Sequence, residues 1–195
     1  KACSFSYIPA ENMIWADKKG NIGWQVVGIA PIRKNFSGLV PVPGDGRYEW
    51  DGFLPIKSLP NIFNPEKGFW VTANENLVAP DYPHRNAVGW EWADSSRANR
   101  ITEVLTSKEK FSQEELRKIQ GDYLSLPARH LVSYLKKTKS NTPETEKIKS
   151  QLLNWNFVMD KNSVEAGVYA SWEKVILDRA YKLFVPEKGK GVIKY

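Results

Sequence analysis

The chain has 195 residues, 42% of them hydrophobic and 26% charged, with a formal net charge of +6. That length and balance fit one globular domain or a large piece of one. They exclude a disulfide framework or Cys-rich zinc site (one cysteine, Cys3), a histidine-based metal cluster (His84 and His130 only) and a membrane span, since no run of about 18 apolar residues occurs.

Composition changes along the chain. Residues 1–100 carry 11 basic and 10 acidic residues, and residues 101–195 carry 17 and 12. Six of the eight Trp and nine of the twelve Pro lie in the first 92 residues. The expected organisation is α+β: a β-strand and loop portion over 1–92 and a helical portion of the same domain over 93–195. No Gly/Ser tract separates them, and no internal repeat is visible.

In chain order, residues 12–17 read as a short apolar strand, and Asp17-Lys18-Lys19-Gly20-Asn21 as a turn in which Gly20 suits positive φ. Ile22 to Ala30 reads as the return strand, rich in β-favouring Trp24, Val26 and Val27. Pro31, Pro41, Pro43 and Pro55 exclude a central strand or helix interior over 31–60, and Gly44-Asp45-Gly46 adds a turn. A loop of that length usually has a function or wraps a partner. Gly68-Phe69-Trp70-Val71-Thr72-Ala73 is the best buried-strand pattern, apolar on both faces and ending at Asn74.

Helices follow. Asp94 or Ser95 can cap a helix through Arg97, Arg100, Ile101, Val104 and Leu105. Ser112-Gln113-Glu114-Glu115 is a capping box, with Leu116, Ile119, Tyr123 and Leu124 behind it at helical spacing. Pro127 kinks or restarts that helix, and Pro143 suits a first helical position. Ser163 opens the last helix, whose Val164, Val168, Trp172, Val175, Ile176 and Leu183 form a stripe read as core packing.

No nucleophile elbow, zincin, phosphate-loop or dinucleotide motif is present. Cys3 has no flanking His, and each histidine reads as a surface or packing residue. Nucleic acid is not an expected partner, because the aromatics sit in the neutral part and the lysines alternate with glutamates on helices; nor is a membrane, given that no run of about 18 apolar residues occurs. Two polar features stand out. Asn74 closes an apolar run, where a rigid element could aim its NH₂ into a cleft and stabilise an oxyanion; strand capping is the plainer reading. Arg97 and Arg100 lie near a helix start, where the dipole does not favour cations, so a carboxylate or substrate is a reason for them to be there; simple exposure is the alternative.

At these residues the chain resembles the penicillin amidase (penicillin acylase) family of N-terminal-nucleophile hydrolases. The resemblance rests on residues 9–13, 16–23, 28–33, 41–44 and 49–55, on Asn64-Pro65, Gly68-Phe69-Trp70-Val71-Thr72-Ala73-Asn74 and Arg97-Ala98-Asn99-Arg100-Ile101, and on Gln120-Gly121-Asp122 and Leu153-Asn154-Trp155. It covers nearly the whole chain and weakens after about residue 125.

What the resemblance implies is a central piece of the family's large (β) subunit, within a four-layer αββα sandwich. The family is made as a self-cleaving precursor, usually exported to the bacterial periplasm, and the start at Lys1 fits a processed chain or fragment. Its nucleophile is an N-terminal serine whose own amine is the base; adjacent, an amine of pKa about 8 can take the hydroxyl proton. That serine is expected upstream of Lys1, and Ser4 does not match it, so these residues alone are expected to be inactive. The partners implied are the small α subunit, the rest of the β subunit and a small-molecule amide substrate. The resemblance makes Asn74 the oxyanion-hole asparagine and Arg100 an arginine at the active-site edge, with Arg97 its neighbouring candidate. No cofactor is required for the chemistry. A structural calcium is implied in the full-length family, with Gly38 near a carbonyl ligand position and Asn86 where an aspartate is expected. A non-catalytic, aromatic-rich carbohydrate or peptide binder and a degenerate structural homologue are the alternatives.

Overall fold

The computed structural model describes residues 2–7 and 9–190. The chain divides into two compact units, Lys1–Glu109 and Lys110–Tyr195.

The first unit is built on a three-stranded antiparallel sheet of order β1-β2-β3: β1 (Glu11–Ala16), β2 (Ile22–Val27) and β3 (Asn61–Phe63). The β1–β2 hairpin forms where the sequence places it. The Asp17 carboxylate accepts from the backbone N–H groups of Lys19 (2.8 Å) and Asn21 (2.9 Å), and Gly20 takes φ +85°. Cross-strand register sets Trp15 opposite Gly23 and Ile14 opposite Trp24. The Trp15 indole lies flat on Gly23; a Cβ there would come within 2.6 Å of the ring, so only glycine allows this packing. Strand β2 stops at Val27 rather than Ala30, because Gly28 turns to φ +118°. The short β3 carries no periodic signal of its own. Asn64 secures it: its Oδ1 accepts from Ile22 N–H and its Nδ2 donates to Asn21, both at 2.9 Å.

Residues 31–60 are loop with one 3₁₀ turn, Ile56–Ser58, as the prolines require. An isolated bridge joins Pro31 to Phe53; proline lacks an N–H, so the bonds run from Leu54 N–H to Ala30 and from Ile32 N–H to Gly52. Beneath it Ala30, Leu54, Leu59 and Ala87 form one core cluster, Ala87 coming from the one-turn helix α1 (Arg85–Val88).

The run 68–73 is not a strand. Its apolar pattern is obeyed, since Val71 and Ala73 are buried against Ala98 of helix α2 (Ser96–Leu105), and Trp70 stacks on Trp24 with ring centroids 5.2 Å apart. No ladder partner flanks it among the described residues. This helix therefore belongs to the first unit, although its composition is that of the second half.

The second unit is helical: α3 (Gln113–Ile119), α4 (Leu126–Ser133), α5 (Pro143–Leu153) and α6 (Val164–Phe184). The Ser112–Glu115 capping box is formed, Thr142 caps α5 with Pro143 in its first turn, and Ser163 caps α6. Pro127 begins a new helix under the Ser125 cap. Helix α3 consequently ends at Ile119, and Leu124 pairs with Val158 in a bridge instead of extending the stripe. Ala128, Val132, Leu152, Trp155, Ala166 and Tyr169 make the core. The α6 stripe is core only in part: Val168 and Trp172 pack, whereas Val164, Val175 and Leu183 are exposed. No described helix is long and apolar enough to cross a membrane.

Candidate active site

Asn74 lies at the end of the packed segment 69–73, in a turn and not at the end of a strand. It takes φ +68°, a left-handed conformation that asparagine tolerates better than most residues. The turn is tied on every side. Ala73 N–H donates to Glu75 Oε2 (2.7 Å), and Ala93 N–H donates to the Asn74 carbonyl (3.0 Å). Arg97 Nη2 donates to the Ala73 carbonyl at 2.6 Å and to Asn74 Oδ1 at 2.7 Å. The Asn74 Nδ2 group has no protein partner among the described residues, and the side chain is exposed.

A cleft of about 460 Å³ opens beside it. Trp24, Val26, Val78 and Val88 supply an apolar wall, and Asn12, Asn74 and Glu75 contribute polar lining. Trp24 is itself fixed, its indole N–H donating to Asn12 Oδ1 at 2.7 Å. Such a site can offer a hydrogen-bond donor to a polar atom of a molecule whose apolar part lies along the wall. A larger hollow of about 880 Å³ in the helical unit is lined by Gln151, Asn154, Asp160 and Ser163. It is more open to solvent, and its Ser163 hydroxyl is engaged in capping α6.

The structure brings Asn74 and Arg97 together. Arg100, one turn further along α2, forms an ion pair with Glu103 at 3.4 Å. Asp94 precedes the helix, and its carboxyl is held below the usual carboxylate range, first by the Ser96 hydroxyl and N–H and more weakly by the charge of Arg97. Glu75 had no distinguishing sequence signal beyond being an acid directly after the apolar run. Cys3 sits in the 3₁₀ turn Ala2–Phe5; His84 precedes α1 edge-on to Tyr82, and His130 faces the Tyr134 hydroxyl at 3.1 Å.

The two positions associated with calcium converge on an arginine. Arg33 Nη1 donates to the Asn86 carbonyl at 2.6 Å, and the same guanidinium lies against Gly38, where a Cβ would be 3.1 Å from Nε. The Asn86 side-chain oxygen accepts from the Trp90 indole at 3.1 Å. Both Asn86 oxygens are thus engaged by N–H donors, and a cation already stands between these positions. No group of three or more His, Cys, Asp or Glu able to hold a metal occurs among the described residues. These residues do not fit a divalent cation, which needs several anionic or carbonyl oxygens.

A family model described as penicillin amidase matches residues 1–190. The chain is 28% identical over 193 residues to the acyl-homoserine lactone acylase QuiP of Pseudomonas aeruginosa, covering 91% of this chain and 22% of that protein. It is 30% identical over 168 residues to the penicillin acylase 2 proenzyme of a Pseudomonas species, covering 85% and 21%. Among solved structures, the thermostable penicillin G acylase from Alcaligenes faecalis matches with a TM-score of 0.75 at 24% identity, over 96% of this chain and 35% of that one. That likeness carries the α+β fold. The chain spans about a fifth of the length of the curated relatives it matches.

Proposed function

Since the chain belongs to the penicillin amidase family, we propose that its residues form part of a longer acylase in which Asn74 stabilises the oxyanion formed at an amide carbonyl. The observation that carries this reading is the Asn74 carboxamide: its oxygen is held by Arg97, and its NH₂ is left without a protein partner beside a cleft.

In this reading the nucleophile is the N-terminal serine of the large subunit, supplied by residues outside the chain. Its amine takes the hydroxyl proton as the oxygen attacks the amide carbon. Negative charge moves onto the carbonyl oxygen, where the Asn74 N–H meets it; a second donor comes from outside the chain. The C–N bond breaks, the amine leaves with a proton, and water then releases the acid from the acyl-enzyme. Arg100 orients groups at the edge of the site. The serine and its amine suffice for the chemistry, without a cofactor. Substrates of this class are small molecules with a linear amide: a β-lactam side chain, an N-acyl homoserine lactone or another acylated amine. The working protein is a self-cleaved precursor product in the periplasm or outside a bacterium.

The test replaces Asn74 in that longer acylase. Asn74→Gly is the cleaner variant, because glycine takes φ +68° without strain. It should lower kcat by about 10²–10³ with the fold intact, and Asn74→Ala should do the same. Turnover near that of the parent protein would defeat the assignment.

A further inference from the structure

We infer that Arg97 is a positioning residue that sets which end of the Asn74 carboxamide faces the cleft and strengthens it as a donor; this rests on the oxyanion role of Asn74. A primary amide has two ends of similar shape and opposite polarity. Arginine has donors and no acceptor, so it can hold only the oxygen end. Arg97 Nη2 does so at 2.7 Å and spans to the Ala73 carbonyl at 2.6 Å. One nitrogen therefore ties the side chain to the backbone that carries it, and the NH₂ is left pointing away from the guanidinium.

The same bond acts electronically. A cation drawing density from the amide oxygen makes the N–H hydrogens more positive, and hydrogen bonds in series reinforce each other. It also places a positive charge one residue behind the point where the oxyanion develops. Finally, it accounts for a cation in the first turn of α2, where the helix dipole is unfavourable to it. Asp94, whose carboxyl is held below the usual carboxylate range chiefly by Ser96 and more weakly by Arg97, offsets part of that charge.

The experiment is a cycle in the longer acylase, reading kcat, KM and melting temperature for Arg97→Met, Asn74→Gly and the pair. Arg97→Met should lower kcat about tenfold to a hundredfold, the range expected for losing a charged hydrogen bond, with KM little changed. In the Asn74→Gly background it should have no further effect on kcat, which a general structural role cannot reproduce. Arg97→Lys, able to donate but not to span both oxygens in the same plane, should fall between; it serves as the test if Arg97→Met does not fold. An equal loss in the two backgrounds, or unchanged kcat in Arg97→Met, overturns the positioning role while leaving Asn74 standing. Parental kcat in Asn74→Gly would instead remove the reading on which the role depends.

Discussion

The substitution Asn74→Asp separates donation from mere polarity at the site. The carboxylate is isosteric with the carboxamide and keeps its partner: Arg97 Nη2, now 2.7 Å from Oδ1, would face a full anion. The turn should therefore hold at least as well as before. What changes is the end facing the cleft, where an NH₂ becomes a second carboxylate oxygen. On the role proposed for Asn74, the variant loses a donor worth about 10²–10³ in rate. It also sets a negative charge about 3 Å from the developing oxyanion, a repulsion of roughly 5 kcal/mol at an effective dielectric of about 20. Arg97 stands on the far side of the new carboxylate and cancels part of this. A net penalty of about 1.5–3 kcal/mol remains, so kcat should fall tenfold to a hundredfold below Asn74→Gly. Pairing with Arg97 keeps the carboxylate ionised at the pH of the assay. Steady-state hydrolysis of a chromogenic amide, with melting temperature as the fold control, reads all of this. If Asn74→Asp matched or outran Asn74→Gly, Asn74 would not face the developing charge.

Two further expectations concern the scaffold. Arg33→Met removes a charge-assisted bond between the 31–43 loop and α1, and should raise hydrogen exchange at Ala87 and Gly89 by an opening free energy of about 1–2 kcal/mol. A chelator should leave the parent protein's exchange unchanged there; faster exchange with chelator, and none with Arg33→Met, would return the cation role to a metal. The Asp17 carboxyl lies below its ordinary value of 3.8, chiefly through the Asn21 side-chain amide and then its N–H. A depressed folded value means its stabilisation is complete above pH 3.8 and is lost as pH falls through the folded value beneath it. The Asn21 amide resonance should titrate with a midpoint under 3.8, and a midpoint above it contradicts the turn geometry.

Signals that act within a few residues were legible. Asp17 to Gly20, Ser112 with Glu115, Thr142 with Pro143, and Ser163 each specify a turn or helix start through bonds to neighbouring N–H groups, and each forms. Burial was less so. A stripe such as Val164 to Leu183 states that one face is apolar, yet what covers that face is set by chain far away in sequence. Hence Val168 and Trp172 pack while Val175 and Leu183 stay exposed. The strands β3 and the helix α1 are three and four residues long, too short for any period to show.

The segment before Asn74 shows the same division at the site itself. Phe69 to Ala73 has a strand's pattern, but a strand is a pair, and no described residue supplies the ladder. Asn74 is instead held from the side, by Val71 and Ala73 on Ala98, by bonds donated from Arg97 and Ala93, and by the Ala73 N–H bond to the Glu75 carboxylate. Arg97 and Arg100 are three apart on α2, so helical spacing puts them on one face and cannot say which reaches back 23 residues to Asn74. The loop between residues 75 and 94 decides it, by closing on Asn74 through Ala93 and setting the phase of the helix that follows. The place of Asn74 at the end of the apolar run was thus readable from the chain, whereas the direction of its carboxamide belongs to a tertiary contact that no local pattern encodes.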